Sequence, residues 1–450
     1  MIDSILRSGR RLASSLLFQN TAALYAVYVS GLLLPLITFP FLARVLRPEG
    51  WGLVLFCQSL AMWLALILDY GFTFSGTRAV AALRNDRKAR ARVVAGIHGA
   101  KAVLLVVTLA CGLLAFVSVD YFRSQPKYLV AACLYAVAQG LNPIWYFQGM
   151  ERVRPAAAMD VALKALATLA ILLFIREPGD GWLVLAFYAA GGLSWVTIGT
   201  VWIYRENLFF LPRRREVWAT LRQSAPLFAF RGISGVYTQA APLLLGLMTS
   251  APVVAYFAGA ERLIRAATGL IQPVSQALFP RLSYLATRDR DASDRLLRAS
   301  LVILVGFGAL VGGVTYLVAP LFVPILLGPG YEAAVPVLRV LALVPPIVAF
   351  GTVLGIQWAL PAGHDRHMLA FVTAACGVGA LSVPILVPAL GATGMAIAVI
   401  FAELTVVLSL IWLASRKGVR WWPTRDPGSW MPRGVRVPHG SPAEVHPPVS

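Results

Sequence analysis

From residue 19 to residue 414 the chain repeats one pattern, an unalternated apolar run followed by a short polar break. A helix rises ~1.5 Å per residue, so ~20 apolar residues cross ~30 Å of hydrocarbon. Twelve runs reach that length, near residues 19–43, 51–75, 93–119, 128–148, 157–175, 182–203, 224–248, 251–279, 299–327, 333–359, 368–387 and 392–414. The runs lack the period-two alternation of barrel strands, and a backbone in lipid must satisfy its own hydrogen bonds, which leaves helices. The predicted class is an all-α polytopic membrane protein of about 12 transmembrane helices.

The polar breaks give that bundle an orientation. Lys and Arg alternate from rich to poor along them: 28 fall on one side, 5 on the other and 6 inside the spans. Positive charge is retained in the cytoplasm, so both termini are predicted to be cytoplasmic. Composition agrees, since a chain 58% hydrophobic and 13% charged with mean hydropathy +0.74 has too much apolar surface for one soluble core. The net charge of +19 is mostly the topological excess, so no nucleic-acid partner is expected.

Four segments follow. Residues 1–18 mix Ile5, Leu6, Leu12, Leu16 and Leu17 with Arg7, Arg10 and Arg11, as an amphipathic interfacial helix would, and no cleavable signal is expected. Residues 19–215 and 216–415 are read as two six-helix lobes, divided at a basic loop carrying Arg205, Arg213, Arg214, Arg215 and Arg222. Residues 416–450, rich in Pro, Gly and Arg, read as a disordered cytosolic tail. The turn at Pro48 is matched by one at Pro252, and Gln148 by Gln357, which suggests parallel repeats facing each other across a central cavity. Pro35 and Pro40 should bend the first span, either as a gating hinge or as a fixed kink.

Ionisable groups at lipid depth cost about 2.5–3.5 kcal/mol each on insertion scales, so their positions carry information. In the eighth span Glu261, Arg265, Gln272 and Gln276 share one face beside Arg262, with Glu261 ~15 Å and Arg265 ~21 Å from the entering end. The seventh span offers Arg231, with Ser234, Gly235 and Thr238 on the same side. The third offers His98 and Lys101. Together they suggest a cavity for an anion, because a guanidinium can donate two parallel hydrogen bonds to phosphate oxygens. The alternative is a structural Glu261–Arg265 pair with the other cations reaching the interface.

Other polar positions are weaker signals. Asp160 and Lys164 fit an interfacial i,i+4 pair, with membership of the site as the lesser alternative, and Asp69, on a face with Gln58, suits a gate or supporting residue. Glu403, ~16 Å into the last span, is a candidate to bind a proton or a monovalent cation, or else forms an internal hydrogen bond. Arg339, in the outer third of the tenth span, is left without an assignment. Cys57, Cys111, Cys133 and Cys376 sit singly in separate spans as small apolar residues, and His364 with His367 lacks further ligands, so no metal site and no cofactor are expected.

Four segments also resemble a known family: the run from Pro35 to Ala61, the LDYGFTFSGTRAVA after it, NPIWYFQGMER at Asn142–Arg152, and the run from Ala255 to Ser283. They are similar to the polysaccharide transporter family, the O-antigen (Wzx-type) lipid-linked oligosaccharide flippases of the multidrug/oligosaccharidyl-lipid/polysaccharide superfamily. The resemblance covers residues 15 to 415. It implies two six-helix lobes in the bacterial inner membrane that move an undecaprenyl-pyrophosphate-linked glycan between leaflets, with polysaccharide polymerase and chain-length machinery as candidate partners. It also implies head-group binding by intramembrane arginines, a pattern Arg231 and Arg265 match by location. A drug/cation antiporter of the same superfamily is the nearest rival, but the first span holds no carboxylate. A membrane glycosyltransferase would need a larger folded outer loop than any odd-numbered loop here.

Overall fold

A computed structural model of the chain describes residues 16–269 and 290–417, together with residues 271, 275, 282, 285 and 419. All regular structure among them is helical. The first helices are α1 Leu16–Asp69, α2 Phe72–Ala82, α3 Arg87–Ser118, α4 Asp120–Ser124 and α5 Pro126–Gly140. Next come α6 Ile144–Gly149, α7 Val153–Phe174, α8 Gly181–Glu206, α9 Arg214–Gln239, α10 Ala241–Met248 and α11 Ala251–Gly269. The described chain ends with α12 Arg290–Leu327, α13 Ala334–Leu341, α14 Val344–Thr352, a π-helix Val353–Ala359, and α15 Asp365–Arg416.

Seven helical stretches among the described residues are long and apolar enough to cross a membrane. Two of them each hold a pair of the expected spans. In α1 the backbone breaks at Arg47, φ 57°, just before Pro48. Twelve residues of straight helix would separate two side chains by ~18 Å, yet the rings of Phe39 and Trp51 lie 5.8 Å apart, so the chain folds back there. In α15 the break falls at Gly391, φ 56° and ψ −127°, a backbone state nearly confined to glycine. Elsewhere the expected spans are interrupted: one at Leu141–Pro143 between α5 and α6, another at Ala240 between α9 and α10.

The chain divides into two compact units. The first comprises residues 1–265, 314–342 and 372–402; the second comprises 266–313, 343–371 and 403–450. This grouping interleaves the two sequence halves. Within the first unit, the aromatic run of α6 is the centre of a core, with Trp145, Tyr146 and Phe147 all buried beside Leu68, Phe72 and Trp195. A Cβ on Gly76 would come within 2.9 Å of the Trp145 ring, so the absent side chain is what lets α2 lie against α6. Thr77 Oγ1, whose single hydrogen also has the Thr73 carbonyl at 2.7 Å, then lies 3.0 Å from the Trp145 carbonyl oxygen and 3.3 Å from Gln148 Oε1. A polar cluster closes one end of this core, where Asn207 donates to Tyr146 Oη and accepts from Arg90, both at 2.8 Å.

The second unit packs Leu297, Leu301 and Leu304 of α12 against Val353, Leu354 and Leu410. Its buried polar centre is Gln357 in the π-helix, which accepts from Ser300 at 2.5 Å and donates to Ser275 at 3.1 Å. Each partner stands on a different segment, so one amide ties three together.

Candidate functional site

The first unit contains two adjoining cavities. The smaller, about 200 Å³, is lined from five helices. Helix α1 contributes Thr38, Trp51 and Gln58, and α5 contributes Tyr135 and Gln139. Asp160 and Lys164 enter from α7, Tyr188 from α8 and Arg262 from α11. The larger, about 320 Å³, is lined by Asp69, Thr73, Arg231 and Gln239 together with Trp63 and Ile144. Gln139 and Asn142 line both. They can do so because α5 ends there: Asn142 Oδ1 accepts from Ile144 N at 3.0 Å and Trp195 Nε1 at 3.1 Å, fixing the corner between α5 and α6.

Arg262 dominates the smaller cavity. Its Nη2 donates to Gln58 Oε1 at 2.9 Å, while the guanidinium lies 5.3 Å from the Phe39 ring and 5.4 Å from the Trp51 ring. Ring faces stabilise a cation without neutralising it, and an amide oxygen leaves most of its donors available. The same lining holds the Asp160–Lys164 pair, 2.7 Å apart, so its ionic groups carry one net positive charge. In the larger cavity Arg231 is ion-paired with Asp69 and lies 5.8 Å from the Phe74 ring. Thr73 Oγ1 donates to the other Asp69 oxygen at 2.7 Å. Every carboxylate in either lining therefore has a cation beside it.

Several sequence expectations meet a different geometry. Arg231, Arg262 and Asp69 reach the cavities, but Lys101 reaches neither: it is buried at 1% exposure and donates to the Gly140 carbonyl at 2.8 Å. Its ammonium instead caps the end of α5, where Gly140 is the last residue. Arg265 and Glu261 also line neither cavity; they form the i,i+4 pair at 2.7 Å, with Arg265 half-exposed. His98 pairs with Tyr204 Oη at 2.8 Å instead of facing a ligand. Asp160 and Lys164 make the expected pair and also line a cavity, the lesser of the two readings their position allowed. The side chains of Thr238, Pro35, Gln272 and Gln276 lie outside the described residues, while Pro40 is half-buried within α1. Glu403 is half-buried in the second unit.

The linings suit a polar anion. Two guanidiniums, four amides and the hydroxyls of Thr38, Tyr135 and Tyr188 offer donors to oxygen-rich groups. Trp51 and the tyrosines supply flat apolar faces of the kind sugar rings stack on.

Comparison with known proteins gives the same direction. Residues 17–286 match the model of a family described as "Polysaccharide biosynthesis protein". A relative from Shigella dysenteriae named "Putative O-antigen transporter" is 26% identical over 398 residues, covering 87% of this chain and 98% of its own. One of the same name from Escherichia coli K12 is 26% identical over 376 residues, covering 82% and 89%. Among solved structures, the inward closed conformation of the lipid II flippase MurJ superposes with TM-score 0.65 at 13% identity, covering 88% of this chain and 87% of that one. An inward-facing multidrug resistance MATE family transporter of the MOP superfamily gives TM-score 0.57 at 17% identity, covering 86% and 98%.

Proposed function

This chain belongs to the polysaccharide biosynthesis protein family, and from that premise we propose that it is a flippase for a lipid-linked oligosaccharide. The cargo is an undecaprenyl-pyrophosphate-linked glycan, moved from the cytoplasmic to the periplasmic leaflet of a bacterial inner membrane for O-antigen or exopolysaccharide synthesis. The names of both curated relatives support the transport reading, and the likeness to MurJ supports the fold it needs. One observation carries the choice of cargo: Arg262 projects into a cavity with ring faces and an amide as its close partners, so its charge is available to an anion. Pyrophosphate oxygens would take that guanidinium, and the amides and aromatic faces would take the sugars.

In the mechanism, twelve spans form two six-helix lobes with both termini in the cytoplasm, and the head group enters while the prenyl tail stays in lipid. Rocking of the lobes then exposes the site to the other side, with no covalent bond made or broken. Glu403 is the proposed coupling residue for H+ or Na+, and the product passes to polymerase and chain-length machinery. A drug or organic cation would need an uncompensated carboxylate, whereas Asp160 and Asp69 are both neutralised in place.

Proteoliposomes loaded with a fluorescent undecaprenyl-pyrophosphate oligosaccharide test the reading. Translocation is expected with the wild-type chain and absent with Arg262→Ala at equal protein level. Failure of the wild type to move the glycan while it moves a cationic dye would replace this reading with the antiporter.

A further inference from the structure

The segment joining α8 to α9, together with the first turns of α9, exposes a mixture of side chains that water alone would not favour. Leu208 is 44% exposed, Phe209 71%, Leu211 79% and Trp218 72%, interleaved with the exposed arginines 213, 214, 215 and 222. Nor is this a loose loop. Buried Asn207 is held by Tyr146 and Arg90, and a Cβ on Gly99 would come within 2.7 Å of Pro212, so the backbone is seated against α3. The fold therefore presents these apolar groups outward on a fixed support.

Beside them runs a groove of about 710 Å³, lined by Tyr70, Arg215, Trp218, Leu221, Arg222 and Gln223. Its chemistry is amphiphilic: two guanidiniums at a wall of aromatic and aliphatic surface. A membrane lipid with an anionic phosphate and a hydrocarbon chain has the complementary pattern. The groove has a single amide, unlike the amide-rich cavities, so it offers little to a sugar. Tyr70 gives it a structural lever. That residue sits in the left-handed region at φ 48°, at the corner between α1 and α2, and its ring stacks on Phe228 of α9 at 4.5 Å. The neighbouring residue Asp69 holds Arg231, also on α9.

We propose that this groove is a binding site for an anionic phospholipid, whose phosphate is held by Arg215 and Arg222 and whose chain lies along Trp218 and Tyr70. On the orientation read from the loop charges, the lipid comes from the cytoplasmic leaflet. Bound there, it braces α9 against the α1–α2 corner that carries Asp69.

The test uses the full chain and does not depend on transport, so it stands or falls apart from the proposed function. Lipid retention is read by native mass spectrometry after exchange with phosphatidylglycerol or phosphatidylcholine. Wild-type protein should retain phosphatidylglycerol over phosphatidylcholine, and Arg215→Gln with Arg222→Gln should lower that retention by about tenfold. Arg213→Gln with Arg214→Gln, exposed but outside the groove, should leave it nearly unchanged. Brominated phosphatidylglycerol should quench wild-type fluorescence more than that of Trp218→Phe. Equal loss in both arginine pairs would reduce the effect to general surface charge and overturn the site. So would unchanged phosphatidylglycerol retention in the groove variant, whether or not binding of the lipid-linked glycan falls.

Discussion

Arg231 and Asp69, 162 residues apart in sequence, meet as an ion pair on the wall of the larger cavity. Asp69 is oriented by Thr73, and about a third of the Arg231 side chain remains accessible. The carboxylate thus occupies donors that a phosphate would otherwise use.

Freeing those donors should strengthen anion binding. Asp69→Asn keeps the shape of the side chain and removes its charge, so a pyrophosphate glycan should bind roughly five- to tenfold more tightly, from a charge-assisted hydrogen bond of ~1–1.5 kcal/mol no longer contested. Titration of the purified variant with the lipid-linked sugar reads this directly. Weaker binding would mean that Asp69 positions Arg231 for the ligand and does not compete with it.

At Arg262 the requirement is for shape as well as charge. Lysine cannot lie flat over Phe39 and Trp51 and also reach Gln58 with a planar fork, so Arg262→Lys should transport well below the wild-type rate and Arg262→Ala not at all. Surface polysaccharide in cells producing equal amounts of each protein is the measurement. Full activity of the lysine variant would show that a point charge is sufficient.

How far these residues were legible in sequence follows from what a one-dimensional pattern encodes. Apolar run length exposes helices, so the all-helical fold was plain. Depth along a span follows from residue count, which is how Arg231 and Arg262 drew notice. Direction around the helix does not follow until neighbours are known. Lys101 therefore looked like a cavity cation and proved to be a buried donor to Gly140. On α11 the stripe through Glu261 and Arg265 looked like the polar face, yet Arg262, one position along, enters the cavity. Asp160 and Lys164 were recognisable as a pair, but only the approach of α1 and α5 makes their side of α7 a lining.

The contrast at Lys101 gives its own test. Lys101→Met preserves much of the buried volume but leaves the Gly140 carbonyl without its donor, at a cost of about 1–3 kcal/mol. Thermal unfolding in detergent should shift down, while the affinity of the remaining folded protein for the glycan stays at its wild-type value. A selective loss of affinity with no change in stability would restore Lys101 to the binding site.

Gln357 offers the corresponding test in the second unit. Its amide is 2% exposed and joins Ser300 to Ser275, and it stands in a π-helix, where one residue more per turn shifts the register of the helix face. Gln357→Leu has similar bulk but strands two buried hydroxyls, each costing about 1–3 kcal/mol unless it finds a backbone carbonyl. The melting temperature should fall, and Ser300→Ala combined with Gln357→Leu should recover part of the loss, since removing a stranded hydroxyl removes its penalty. If the double variant is less stable than Gln357→Leu alone, the cluster is not held together by this hydrogen bond and the π-helix must be stabilised by packing against Leu297, Leu301 and Leu410.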